Sequence, residues 1–257
     1  MSAQSDDVLL YEVREQVAWL TLNRPDARNA LNHALREALR AAFRQFSADE
    51  NAHVAILRGA GPDFCAGADL KEMADTSLAI PPPDWIPHLQ RDARVDKPVI
   101  AAVQGSALAG GFLLAQMADL CIAADNAQFG ITEARWGRGA PWAASLPWMI
   151  PPRVALELLL VAQPIPAGRA YELGLVNRLV PLDQLDAVAG EIAARIAANA
   201  PLSVRAGKRM VYEVAGLPLA QAFARADEIF APAYLSEDAQ EGPRAFRERR
   251  LPRWQGR

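Results

Sequence analysis

A chain of 257 residues, 51% hydrophobic and 22% charged, has the composition of an ordinary globular protein, which excludes a disordered or collagen-like chain. At this length folding buries roughly 70–75% of the unfolded surface, so neither disulfides nor a metal are needed as staples. The 27 basic and 30 acidic side chains leave a formal net charge of −3, which argues against a dedicated nucleic-acid binder. Two isolated cysteines, Cys65 and Cys121, are too few for a disulfide framework or a zinc site. The first twenty residues show no basic stretch followed by an apolar run. The longest apolar stretches, such as 98–103 and 108–114, fall well short of the ~20 residues that span a bilayer. These features lead us to expect a reduced, cytoplasmic protein with no membrane segment and no bound metal. Prolines (19) outnumber glycines (16), and they cluster.

Along the chain, residues 8–13 and 17–22 are short apolar and β-branched runs split by charge, the pattern of a hairpin. Leu31, Leu35, Leu39, Ala42 and Phe46 recur at helical spacing, with Arg36, Glu37, Arg40 and Arg44 on the other faces. Residues 53–58 form a strand candidate ending at Gly59. Residues 98–104, closed by Gly105, form an almost continuous apolar run, as expected of a strand covered on both faces. Residues 109–118 are helical in composition and 119–124 strand-like, so strands alternate with helices to about residue 180 and the fold class is α/β. Beyond Pro181 the pattern is helical over 182–199, 201–215, 218–231 and 236–249. Pro201 and Pro218 fall in first turns, and Ser236 takes an N-cap position. The expected division is an α/β core over 1–200 and a helical region over 201–257. The IPPPDWIP stretch at 80–87 reads as a stiff, extended loop.

Three segments carry candidate chemistry. In 59–73, the small side chains of Ala66, Gly67 and Ala68 let a ligand approach the backbone. The Ala68 amide falls near the start of a short helical run at 69–73, where amides favour negative charge. A tight turn needing Gly67 explains the same residues. In 104–120, Gly110 and Gly111 open an apolar helix after a buried strand. Two such amides facing one cavity would make an oxyanion hole, while close packing of helix on sheet is the structural alternative. Neither segment matches a dinucleotide or P-loop fingerprint. The third candidate is Glu133, set among Phe129, Ile131 and Trp136, where apolar surroundings raise a carboxyl pKa toward neutrality. An exposed loop glutamate is the alternative there. Ser106 lies in no nucleophile elbow, and His33, His53 and His88 fit no triad or metal pattern.

Taken in order, LNRPDARNAL (22–31), FCAGADLKEM (64–73), KPVIAAVQGSALAGG (97–111), FGITEARWG (129–137) and AYELGLVNRLVP (170–181) resemble the crotonase superfamily, the enoyl-CoA hydratases and isomerases. The resemblance runs from about residue 8 to the C-terminus. It implies a spiral of ββα units followed by C-terminal helices that build a homotrimer, usually paired into a homohexamer. It also implies an acyl-CoA substrate with no further cofactor, its thioester oxygen held by the Ala68 and Gly110 amides. Ala27, Arg28, Ala66 and Lys71 would lie along the CoA moiety. Gly67, Asp69, Leu70, Leu113, Trp136 and Trp142 complete the expected surroundings of the substrate.

The departures from the family pattern bear on mechanism. Hydratases of the family use two glutamates; here Glu133 fills the second place, while Leu113 occupies the first between Phe112 and Leu114. Pro141 stands where some relatives carry another acid, and GRGAPWAASLPW (137–148) replaces a glycine-rich stretch. Adding water to a double bond needs one group to deprotonate water and another to supply the α-proton, whereas a 1,3-proton shift needs a single base. The expectation is therefore enoyl-CoA isomerisation through Glu133. Hydration by Glu133 with water is the alternative, and a non-catalytic acyl-CoA-binding subunit a further one. Six arginines lie in the last fourteen residues; with Phe246 they form either a solvated face or, by resemblance, a reach toward a neighbouring subunit's CoA. Trp85 and Trp142, in proline-rich loops, are the expected acyl-pocket walls.

Overall fold

The computed structural model describes residues 7–75 and 80–257, so the first six residues, where a leader would begin, lie outside the described part. A hairpin of β1 (Leu9–Arg14) and β2 (Val17–Leu22) leads into α1 (His33–Ala48), whose N-cap Asn32 accepts the Leu35 N–H at 3.0 Å. β3 (Val54–Gly59), the short α2 (Leu70–Ala74) and β4 (Val99–Val103) follow. Then come β5 (Ser106–Leu108), α3 (Gly110–Met117), β6 (Leu120–Ala124) and β7 (Gln128–Gly130). α4 (Leu146–Met149), α5 (Pro152–Val161), β8 (Ile165–Pro166), α6 (Ala167–Glu172) and β9 (Arg178–Val180) complete the α/β part. The remaining helices are α7 (Leu185–Ala197), α8 (Pro201–Glu213), α9 (Leu219–Tyr234) and α10 (Asp238–Glu248).

Among the described residues the strands form two sheets. The larger has the order β1-β2-β3-β4-β6-β9, antiparallel at the β1–β2 hairpin and parallel elsewhere; the smaller is β5-β7-β8. Strand periodicity sorts the large sheet's side chains onto two faces. Ala18, Leu20, Leu22, Leu57, Ala101 and Val103 join the core that contains Leu35, Leu39 and Phe43 of α1. Val17, Val54, Ile56, Ile100, Ala102 and Ile122 face the other way, onto Leu185, Ala189, Ala193 and Ala197 of α7. β4 is buried along its whole length, as the unbroken apolar run at 98–104 predicts.

The small sheet has no counterpart in the sequence reading, where Gly105 simply closes a strand and a helix follows. Two- and three-residue strands carry too little periodicity to register. They nevertheless place the site, because Cys65 forms an isolated bridge to Ala107 of β5 and Leu31 forms another to Ala68. The helix ends also shift from expectation. α9 continues through Pro232 to Tyr234, and α10 starts at Asp238 although the Ser236 hydroxyl still accepts the Ala239 N–H at 3.1 Å. α8 is fastened by a half-buried ion pair, Lys208 Nζ to Asp119 at 2.8 Å, and by Tyr212, whose hydroxyl donates to the same carboxylate at 2.9 Å. α9 and α10 leave Phe223, Tyr234, Leu235 and Phe246 exposed. No helix among the described residues is long and apolar enough to cross a membrane.

Candidate active site

A cavity of about 1000 Å³ opens where α2, the start of α3 and the loop after β7 converge. One side is made of backbone. Leu31 donates to Gly67 O (2.8 Å) and accepts from the Asp69 N–H (3.3 Å), so the peptide of Ala68 between them faces away from Leu31. On the other flank Cys65 donates to Ser106 O (2.8 Å) and Leu108 donates to Cys65 O (3.0 Å). The 65–68 segment is thus held by isolated bridges between residues 28–31 and β5. Neither the Ala68 nor the Gly110 N–H donates within the loop and cap bonding of the described residues, and both residues line the cavity. Two amides left unpaired at one cavity, one of them opening a helix, can stabilise a developing oxyanion.

The glycines here are required by close approach. A Cβ on Gly111 would sit 2.1 Å from Cys65 O, and one on Gly110 would meet the side chains of Ile86 and Leu31 below 3 Å. Gly67 has φ +98°, and an added Cβ would meet both Ala109 Cβ and Leu108 O at 2.8 Å. Ala109, expected within the helix, instead caps it with φ 50° and ψ −121°, its N–H donating to Gly130 O at 2.8 Å. Such a conformation costs a non-glycine residue ~1–3 kcal/mol. Cys65 lies in this packing fully buried, and burial pushes its thiol up to about 12, far from a thiolate nucleophile.

The opposite side is made of side chains. Glu133 opens a 3-10 turn, Glu133–Trp136, after β7. The Trp142 indole N–H donates to its Oε1 at 3.0 Å, whereas its buried Oε2 has no hydrogen-bond partner. Burial holds the carboxyl above its ordinary range, partly offset by the Glu133 amide, the Trp142 indole and the Thr132 amide. A half-desolvated carboxylate with one free oxygen at a cavity has the features of a proton carrier. Leu113 of α3 is buried and lines the same cavity.

The rim and outer wall are polar. Asp69 caps α2, accepting the Lys71 and Glu72 amides, and pairs with Arg24 at 3.1 Å. Burial works against its carboxylate, but Arg24 and those amides outweigh it and hold the carboxyl below its usual range. Arg28 is paired with Asp63 at 2.8 Å and also donates to the Ser106 hydroxyl. Lys71 is exposed at the cavity mouth. Arg36 corrects the helix reading: instead of facing solvent it is buried. It donates to Leu31 O (2.9 Å) and Glu72 (2.8 Å), with its guanidinium 4.2 Å from the Trp85 ring centre. The polar choice at that position reflects a partner across the fold, not exposure.

Of the catalytic and CoA- or substrate-binding residues expected from sequence, all line this cavity except Gly67, whereas Gly111, Phe246 and the C-terminal arginines lie outside its lining. Gly67 is buried between two of the cavity's lining residues, Ala66 and Ala68, and allows the close approach of the 108–109 backbone. Trp136 and Leu70 line it from the exposed rim; Trp85 and Trp142 both line it, and Pro81–83 and Pro141 stand in its walls. Sequence reasoning missed Asn29, Asp63 and Ala109. Asn29 is fully buried at φ 54°, its amide donating to Ala60 O and Asp63 O at 2.9 and 2.8 Å. An asparagine just after a proline-led turn carries a faint signal of this kind, since Asn tolerates the left-handed region. Among the described residues no cluster of three or more His, Cys, Asp or Glu side chains could hold a metal ion.

Comparison with known proteins gives one consistent answer. The family model described as enoyl-CoA hydratase/isomerase matches residues 12–257. The chain is 38% identical to the enoyl-CoA hydratase EchA19 of Mycobacterium tuberculosis, over all of this chain and 99% of that protein. It is 36% identical to the (E)-benzylidenesuccinyl-CoA hydratase of Thauera aromatica, over 95% and 98%. Among solved structures, an enoyl-CoA hydratase from Mycobacterium tuberculosis superposes with a TM-score of 0.91 at 41% identity, covering 98% of this chain and 100% of that one. A hydratase/isomerase from Mycobacterium abscessus gives 0.90 at 43%, with coverage of 98% and 100%. With its crotonase fold and its match along almost the whole chain, the protein belongs to the enoyl-CoA hydratase/isomerase family of acyl-CoA enzymes.

Proposed function

We propose that this enzyme moves a proton along an enoyl-CoA thioester, holding the thioester oxygen on the Ala68 and Gly110 amides and using Glu133 as its single acid–base group. The observation that carries the reading is the unpartnered, buried Oε2 of Glu133 in a cavity where Leu113 supplies no second carboxylate. Enolate formation puts charge on the thioester oxygen. Two preorganised amides lower that barrier, each accounting for ~10²–10³ in rate. Glu133 then takes a proton from the α carbon and returns it at the γ carbon, so a 3-enoyl thioester becomes the conjugated 2-enoyl isomer with no net change in oxidation. Lys71 and Arg28 supply positive charge toward the CoA phosphates, with Ala27 and Ala66 along the same moiety. No cofactor beyond the CoA thioester takes part. The exposed apolar side chains of α9 and α10 support residues 201–257 as the surface on which copies of the chain assemble into a trimer or hexamer. The 1–200 core, reduced and cytoplasmic in this reading, carries the chemistry.

Hydration is the second reading, supported by the names of relatives such as the M. tuberculosis and T. aromatica hydratases. In that case an ordered water would replace the missing first carboxylate. Incubation in heavy water with a panel of 2-enoyl- and 3-enoyl-CoA thioesters, followed by mass, separates the two. We expect isomerisation to outrun hydration, and Glu133→Gln to lower deuterium exchange by ~10²–10⁴. Hydration matching isomerisation would overturn the preference. Exchange that survives Glu133→Gln would remove Glu133 as the base, and no exchange with any bound thioester would leave a binding subunit.

A further inference from the structure

Glu133 needs more than burial to act as a base, because a free carboxylate can rotate and present either oxygen. The indole of Trp142 removes that freedom: its N–H donates to Oε1 at 3.0 Å and leaves Oε2 buried without a partner. The indole is itself held. Pro141 opens a 3-10 turn, Pro141–Ser145, whose last hydroxyl accepts from Gln116 of α3. The Trp142 ring packs edge-on to Phe112 of α3 at 6.0 Å between centroids, and Phe112 packs edge-on to Phe129 at 5.7 Å, both phenylalanines buried. One helix therefore orients both the Gly110 amide and the donor that faces Glu133.

We infer that Trp142 is a positioning residue for the proton transfer: it pins the Glu133 carboxylate through Oε1, so that Oε2 alone takes the proton from one carbon and returns it to the other. The inference rests on Glu133 being the base. An indole suits the task because it only donates and does not titrate, so it cannot compete for the proton. The step balances within substrate and carboxylate. The C–H bond at the α carbon breaks and its electron pair enters the enolate. An O–H bond forms at Oε2, then breaks as a C–H bond forms at the γ carbon. The same N–H bond favours the ionised carboxylate and opposes its desolvation. The cations Arg135 and Arg138 on the same loop, and Arg91 with the imidazole of His88 on the loop across the cavity, line the same space.

The test is Trp142→Phe, which keeps an aromatic ring toward Phe112 while removing the donor and part of the indole, with Trp142→Tyr as a partner variant of similar ring size that keeps an O–H in the pocket. For the phenylalanine variant we expect kcat to fall about 10-fold with KM within about 2-fold, and the acid limb of the pH–rate profile to move up by about one unit. The tyrosine variant should lie nearer wild type in both respects, which also carries the comparison if the phenylalanine variant folds poorly. A phenylalanine variant with wild-type kcat and an unmoved limb, or a tyrosine variant shifted as far as phenylalanine, would overturn the role of Trp142. Wild-type isomerisation by Glu133→Gln would instead overturn the underlying reading of Glu133, so the two failures are told apart.

Discussion

The wall that carries Ala68 and Gly110 is woven from backbone, with residues 28–31, 65–68 and 106–108 hydrogen-bonded into one another and glycines 67, 110 and 111 at the closest approaches. The wall that carries Glu133 and Trp142 is built from side chains on a loop between β7 and α4, much of it exposed. The difference is one of tolerance. A backbone wall fixes the position of an amide to within the packing of its neighbours and accepts no added atom. A side-chain wall can be rebuilt residue by residue, and here prolines and tryptophans shape it.

The contrast can be broken at its strongest point by Gly111→Ala, whose Cβ would fall 2.1 Å from the Cys65 carbonyl with backbone on both sides. Overpacking of this kind should cost about 3 kcal/mol and take activity with it, read as a fall in the denaturant midpoint. The matching change on the other wall, Gly139→Ala, meets nothing nearer than Pro141 Cδ at 3.9 Å and should stay within about 0.5 kcal/mol. Equal costs at the two sites would dissolve the distinction.

Next in size is Arg36→Leu. It removes two hydrogen bonds and the stack on Trp85, and should destabilise by about 2 kcal/mol. Because Trp85 lines the cavity, KM should rise while kcat changes less; an unchanged KM would separate this arginine from the acyl wall.

Smaller, and opposite in sign, is the stability effect of Glu133→Gln. Burial raises the folded-state pKa of Glu133, so its ionisation favours the unfolded chain. Native stability from this group is full below the unfolded carboxylate pKa and is lost as pH rises through the raised folded value. The amide has no such loss, so at neutral pH the variant should melt about 2 °C higher, and the gain should vanish in acid. A pH-independent gain would mean the raised value is not the cause. Activity follows the opposite limb: the base must be ionised, so rate falls as pH drops through that same pKa.

Much of this was legible in the chain. The hairpin, α1 and the buried β4 follow from hydrophobic period, and the alternation of elements indicates an α/β fold, because burial of a face imposes its spacing on the residues. The resemblance brought Ala68, Gly110 and Glu133 to one site, and the chain shows Leu113 where a second acid would stand. Gly67 shows where such reading stops. Its place in the motif suggests contact with substrate, yet it is buried outside the cavity lining with a φ of +98°. Arg36 shows the same limit, since a polar residue in a helical period reads as exposed until its partner across the fold is known.

The sequence by itself determined the longer elements and the residue types at the site, Glu133 present and Leu113 where a second glutamate would stand, since periodicity and residue identity are local properties. Only the tertiary structure decided that two short bridges hold the Ala68 peptide, that Arg36 turns inward to Trp85, and that an indole leaves one oxygen of Glu133 free. Those outcomes depend on groups from nine to some fifty residues apart meeting in contact, and no spacing along the chain encodes that meeting.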